Sequence, residues 1–289
     1  MTLIDDYDAL LFDLDGTIYR GEEIIPGADV AVEAAHAAGT KVRFVTNNAS
    51  RGPDEVASHL TRIGVHAVPA EVSTSAQAAA TVLAGKLLPG TTVLVVGSAA
   101  LEHEVEIRGL STTRVHTDAV QAVVQGLSKD TSWRDLAEAC VAIRAGALWV
   151  ACNVDPTLPT ERGPLPGAGS LVAALRTATG AEPLVAGKPA TPLMDEARRS
   201  ADARKPLVIG DRLDTDIAGA VAADMDSLLV LSGVSTAQEL LDATDDMRPT
   251  YVAHDVAAVT EAGVRIAGDD WATAVRAALA RLGLEHEVA

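Results

Sequence analysis

Short apolar runs that each break off into a polar cluster constrain this chain more than any other feature. Leu10-Leu11-Phe12 is followed at once by Asp13-Leu14-Asp15-Gly16-Thr17. Lys41-Val42-Arg43-Phe44-Val45 delivers Thr46-Asn47-Asn48, and Pro206-Leu207-Val208-Ile209 delivers Gly210-Asp211, with Asp214 and Asp216 just beyond. Such runs read as buried strands of a parallel sheet. Carboxylates at their ends are costly to bury unless paired or metal-bound. The same strand ends are where open α/β sheets bind ligands. Gly16 lets the chain turn out of the sheet, and the Thr17 hydroxyl is expected to hold that turn. Taken alone, each cluster also reads as an ordinary strand-to-loop turn; together with Lys188 they form an inventory for a divalent cation and a phosphoryl group. Lys188 stands in Gly187-Lys188-Pro189, without the upstream glycine spacing or following hydroxyl of a P-loop.

Strand and helix signals alternate throughout, which places the chain in the α/β class. Helices are expected at 27–38, closed by Gly39, and at 53–63, with Pro53 in the first turn. Thr74-Ser75-Ala76-Gln77 resembles a capping box. Leu87-Leu88-Pro89-Gly90 marks a boundary. Beyond it strands are expected near 93–96, 122–124 and 148–151, helices near 98–107 and 132–145, and a further helix capped by Ser170 and reaching 179. The order 1–87 core, 88–186 inserted domain and 187–289 core follows, with a helix at 216–223 and a strand at 228–231 in the last part.

Composition narrows the function classes. The chain has 289 residues, of which 48% are hydrophobic but only 3% aromatic, so its core is built from Ala, Val, Leu and Ile. That leaves no stacking platform for single-stranded nucleic acid. A formal net charge of −17 also argues against nucleic acid or an anionic membrane as partner. Cys140 and Cys152 are not a close-spaced pair, so they read as small buried hydrophobes rather than a zinc or redox site. The early acids of Met1-Thr2-Leu3-Ile4-Asp5-Asp6 do not suit a signal peptide, and no apolar run has membrane-spanning length. A soluble, cytoplasmic protein is expected. Trp133 and Trp149 are expected in the core or at an interface, and His103 and His116 fit no pattern.

With these residues in order, the chain resembles the haloacid-dehalogenase superfamily of phosphatases, in its NagD-like and 4-nitrophenylphosphatase-like branch. The segment Asn153-Val154-Asp155-Pro156-Thr157 through Gly163 is similar to actinobacterial glycerol-3-phosphate phosphatases. The resemblance implies a Rossmann-like parallel-sheet core with an inserted α/β cap domain. It implies Asp13 as nucleophile, Asp15 as general acid and base, and Mg2+ held by Asp13, Asp211 and the Asp15 carbonyl, with Asp216 supporting them. Thr46, Asn47, Asn48 and Lys188 would hold phosphate oxygens, and Asn153, Asp155 and Arg162 are cap candidates for substrate contact. Asp214 is expected to be solvated or to cap a helix. A small phosphorylated substrate and a homodimer are implied as partners. A broader sugar-phosphate, phosphoglycolate or nucleotide phosphatase, and a catalytically weak binding protein, stay open as alternatives.

Overall fold

The computed structural model describes residues 2–288. They pack into two compact units. One holds the residues through Val45, Asp54–Val72 and the chain from Ala197 onward; the other holds Thr46–Pro53 and Ser73–Glu196.

The first unit is built on a sheet of β1 (Ala9–Phe12), β4 (Lys41–Thr46), β5 (Val72–Thr74), β13 (Pro206–Gly210), β14 (Asp226–Val230), β15 (Tyr251–Ala253) and β16 (Val264–Arg265). Their order is β16-β15-β14-β13-β1-β4-β5. A small hairpin, β2 (Tyr19–Arg20) with β3 (Glu23–Ile24), follows the first acidic cluster. β1 pairs in parallel with β13 on one side and β4 on the other. Every residue of β1 and of β13 is buried, as expected for strands covered on both faces. Parallel pairing of β1 and β4 requires a crossover, supplied by helix Ala28–Ala38. It buries Ala28, Ala31, Val32 and Ala35 on one stripe, and Gly39 in the left-handed region ends it. The chain's two phenylalanines, Phe12 and Phe44, sit in register on β1 and β4 with ring centroids 6.2 Å apart. Each fully buried ring stabilises the sheet by about 1.5–3 kcal/mol just beneath the first two polar clusters.

The second unit carries a sheet of β6 (Thr92–Val96), β7 (Ser111–Thr113), β8 (Val120–Gln125), β9 (Leu148–Ala151) and β12 (Leu184–Val185), in the order β12-β9-β8-β6-β7. A two-stranded ribbon, β10 (Thr157–Leu158) with β11 (Leu165–Pro166), lies in the loop after β9. Leu94, Val123, Trp149 and Ala151 share a core with Ala139, Ala142, Ile143, Val172 and Leu175 from helices Trp133–Arg144 and Ala168–Thr179. Both ends of the Gln125 amide and the Trp149 indole nitrogen are among the polar atoms of this unit buried without hydrogen-bond partners among the described residues.

Four expectations are corrected. The helix expected at 216–223 begins earlier, as a wide π-turn over Leu213–Ile217 that passes into Ala218–Ala222. The turn places Asp216 where its Oδ2 accepts the Arg212 N–H at 3.1 Å. Ser170 does not cap its helix: the helix starts at Ala168 behind Gly167, and the Ser170 hydroxyl donates to the Pro156 carbonyl at 2.7 Å. Trp133 is 83% exposed at the start of its helix, whereas Trp149 is buried. Cys152 is buried, and burial pushes its thiol pKa up, but Cys140 is only partly covered.

Candidate active site

Register sets the acidic cluster. Phe12 pairs with Ile209, so β1 and β13 end side by side and release Asp13 and Asp211 at the same edge. The Asp13 N–H donates to the Ile209 carbonyl at 2.8 Å, which continues the ladder to the first acid. One carboxylate oxygen from each of Asp13, Asp211 and Asp216 lies within 4.8 Å of the others. Asp211 and Asp216 are buried and Asp13 half-buried. Carboxylates so close repel one another unless a cation stands between them. The donor set is all carboxylate oxygen, which suits a hard divalent cation rather than zinc with its nitrogen and sulfur preferences.

Three glycines wall the cluster. A Cβ built on Gly16, which has φ +88°, would stand 2.3 Å from Asp211 Oδ2. One on Gly210 would fall 2.3 Å from the Asp216 Cβ, and one on Gly233 would fall 1.9 Å from Asp211 Oδ2. Side chains at these positions would take the space the carboxylates occupy. The Val234 N–H donates to Asp211 Oδ2 at 2.7 Å, and the Ser235 N–H donates to the Asp211 carbonyl at 3.0 Å.

Asp15, two residues past Asp13, is exposed. The turn around it is held by backbone bonds, Thr17 N–H and Ile18 N–H both donating to the Leu14 carbonyl at 3.2 and 2.8 Å. The Thr17 hydroxyl, expected to hold that turn, is instead fully buried with no hydrogen-bond partner among the described residues. Asp214 stands apart from the cluster and accepts the Arg212 guanidinium at 2.7 and 3.0 Å. Those side-chain hydrogen bonds hold its carboxyl below the usual range, partly opposed by desolvation.

In the second unit, Asn47 is a junction. Its Nδ2 donates to the Lys188 carbonyl at 3.0 Å and to Asp155 Oδ2 at 3.2 Å, and its Oδ1 accepts the Lys188 N–H at 2.8 Å. Its carbonyl accepts Asn153 Nδ2 at 2.7 Å and the Ser75 hydroxyl at 2.6 Å. The Asn47 amide is therefore engaged at both ends, and what it does is position Lys188, Asp155 and Asn153. Lys188 is 2% exposed, an unusual place for an ammonium, and Thr46 is buried beside the junction in sequence. A Cβ on Gly187 would stand 2.5 Å from Asn47 Oδ1, so only glycine lets the lysine loop approach. Asn48 is exposed and closes a local turn, accepting Ser50 N–H at 2.8 Å. Arg162 is exposed in the turn that Thr160 organises, apart from the Asn47 junction.

Sequence reasoning missed the segment Leu231-Ser232-Gly233-Val234-Ser235, which lines Asp211. Its signal was slight: a Ser-Gly pair at the end of an apolar strand, with no acid or base to draw attention.

The family described as Haloacid dehalogenase-like hydrolase matches residues 10–111, and a second, HAD-hydrolase-like, matches residues 185–259. The chain is 56% identical over 255 residues to a D-glycerol 3-phosphate phosphatase of Mycobacterium tuberculosis, covering 88% of this chain and 71% of that protein. It is 37% identical over 248 residues to the 5'-nucleotidase YutF of Bacillus subtilis, covering 85% of this chain and 94% of that one. Among solved structures, a glycerol phosphate phosphatase from Mycobacterium tuberculosis in complex with magnesium superposes with a TM-score of 0.90 at 46% identity, covering 98% of this chain and 99% of that one.

Proposed function

Because this chain belongs to the haloacid dehalogenase-like hydrolases, we propose that it is a Mg2+-dependent phosphomonoesterase whose substrate is glycerol 3-phosphate. The observation that carries this reading is the trio of carboxylates within 4.8 Å at the ends of neighbouring strands. The mycobacterial relative, acting on glycerol 3-phosphate by its name, supplies the substrate.

In this reading an Asp13 carboxylate oxygen attacks phosphorus and the ester P–O bond breaks, leaving an aspartyl-phosphate. Asp15 gives its proton to the departing alkoxide, then takes one from the water that attacks phosphorus and restores the Asp13 carboxylate. The exposure of Asp15 suits that role, since it must reach both substrate oxygen and water. Asp13, Asp211 and the Asp15 carbonyl would hold the metal, with Asp216 completing the acidic shell. When bound, magnesium neutralises charge on the phosphoryl group and the nucleophile. Thr46 and Lys188 are assigned the non-bridging phosphate oxygens, with Asn47 pinning the lysine loop and Asn48 shaping the turn. Asn153 and Asp155 position that junction, and Arg162 is left as the candidate reaching for substrate. Residues 88–186 are proposed as a cap inserted in a core of 1–87 and 187–289. Among the described residues no helix is long and apolar enough to cross a membrane, and a cytoplasmic homodimer belongs to the same proposal.

The test is phosphate release from a panel of small phosphomonoesters with Mg2+, using Asp13→Asn as the blank. Glycerol 3-phosphate leading in kcat/KM supports the proposal. Even turnover across sugar phosphates and nucleotides would keep the chemistry but replace the substrate. Ca2+, which favours larger and looser coordination, should substitute poorly, and full activity in excess chelator would remove the metal.

A further inference from the structure

Asp15 poses a positioning problem. Its side chain is exposed, and the next residue is a glycine at φ +88°, which leaves the backbone here conformationally permissive. Hydrogen bonds around Gly16 restrict that freedom. The Gly16 N–H donates to the Tyr19 carbonyl at 2.8 Å, while the Gly16 carbonyl accepts the Ser232 hydroxyl at 2.8 Å. Ser232 is held in turn: its own carbonyl accepts the guanidinium of Arg20, the neighbour of Tyr19 on the β2–β3 hairpin. The bonds form a closed circuit through Gly16, Ser232, Arg20 and back through Tyr19. One residue beyond Ser232, the same segment presses Gly233 against Asp211 and supplies the Val234 N–H to its carboxylate. Ser235 completes the grip, its hydroxyl accepting the Leu213 N–H at 3.0 Å.

We propose that Ser232 and Arg20 form a latch that orients the Asp15 peptide against the segment holding Asp211. They are positioning residues: neither carries the chemistry, and both act through the acid that does. This rests on the phosphatase reading, in which Asp15 protonates the leaving group. Losing the latch lets the peptide swing about Gly16; saturating Mg2+ offsets a weakened Asp15 carbonyl ligand, and the step that then suffers is proton delivery to the leaving oxygen.

That assignment has a readout that a general loosening of the fold would not share. An alkyl ester such as glycerol 3-phosphate leaves as a strongly basic alkoxide and needs the proton. 4-Nitrophenyl phosphate leaves as a stable phenolate and needs it far less. The experiment measures kcat/KM, which reports through transfer of the phosphoryl group to Asp13, for both esters in saturating Mg2+. Ser232→Ala is expected to lower the value for glycerol 3-phosphate about 5-fold, the equivalent of one neutral hydrogen bond, and to leave 4-nitrophenyl phosphate within about 2-fold. Arg20→Met should reproduce that selective loss, and Ser232→Thr, which keeps the hydroxyl, should restore the wild-type ratio. Melting in chelator checks that each variant is folded. Equal losses with both esters, no loss with either, or a threonine variant that behaves like alanine would overturn the latch. Wild-type protein that hydrolyses neither ester would overturn the phosphatase reading itself.

Discussion

Gly233→Ala tests how tightly the acidic cluster is built. A methyl carbon there would stand 1.9 Å from Asp211 Oδ2 and 2.3 Å from its Cγ. Non-bonded heavy atoms settle near 3.5 Å, so the carboxylate or the segment must retreat by roughly 1.5 Å. That retreat also breaks the 2.7 Å bond from the Val234 N–H. Misplacing a catalytic constellation by about 1 Å costs about 100-fold, so kcat/KM for phosphate release should fall at least that far. The damage is local, because the clash is with one side chain and the backbone at 233 is not in the left-handed region. The loss of stability without metal should therefore stay near that of one hydrogen bond to a charged group, about 1.5–3 kcal/mol, while the rise in melting temperature on adding Mg2+ shrinks or vanishes. Gly85→Ala is the matched control: it lies exposed in helix Ser75–Lys86, and an added Cβ meets nothing within 4 Å. It should stabilise by up to about 1 kcal/mol and leave turnover alone. A Gly233→Ala enzyme within about 3-fold of wild type would refute the argument, since Asp211 would then tolerate displacement or be dispensable.

Gln125→Met keeps the length of a fully buried side chain and removes an amide with no hydrogen-bond partner among the described residues. It should stabilise by about 1–2 kcal/mol and raise the melting temperature by a few degrees; a fall would mean that ordered water satisfies the amide. Asp214, held below the ordinary carboxylate range by the Arg212 hydrogen bonds, contributes stability that is present above its unfolded value and lost as pH falls through the folded one. Because its side chain is 63% exposed, Asp214→Asn should narrow the stability difference between neutral and acidic pH by less than about 0.5 kcal/mol, and an effect confined to acidic pH would contradict the sign. Phe12→Ala should cost about 3–5 kcal/mol in a urea titration, and a loss below about 1 kcal/mol would mean that Phe44 refills the space.

The strand ends were legible because apolar runs and the acids after them are adjacent in sequence. The class of fold and the crossover helix ending at Gly39 follow from that local punctuation, whereas the pairing of Asp13 with Asp211 was implied by the family resemblance. Ser232 and Gly233 were not legible, because they act on residues some 20 to 216 positions away and carry no charge. The wide turn at Leu213–Ile217 escaped for a related reason: periodicity cannot distinguish it from an ordinary helical start. The hydrogen bonds of Asn47 to Ser75, Asn153, Asp155 and Lys188 were not legible either, because their partners lie 28 to 141 positions away. Trp133 shows the limit of composition, since a large apolar residue in an amphipathic helix need not lie on the buried stripe.

The central place of β1 has a consequence for biosynthesis. Ala9 pairs with Lys41 on one side and with Pro206 on the other, so one edge of β1 gains a partner soon after synthesis and the other waits. At about 5–20 residues per second, the roughly 200 residues between Phe12 and β13 take about 10–40 s to emerge. Throughout that interval Ala-Leu-Leu-Phe presents unpaired backbone to any other strand nearby. A nascent chain truncated before β13 is thus both aggregation-prone and without two of its three clustered acids. Holdase chaperones would meet this protein at one particular edge, and stalled translation would be its most hazardous moment.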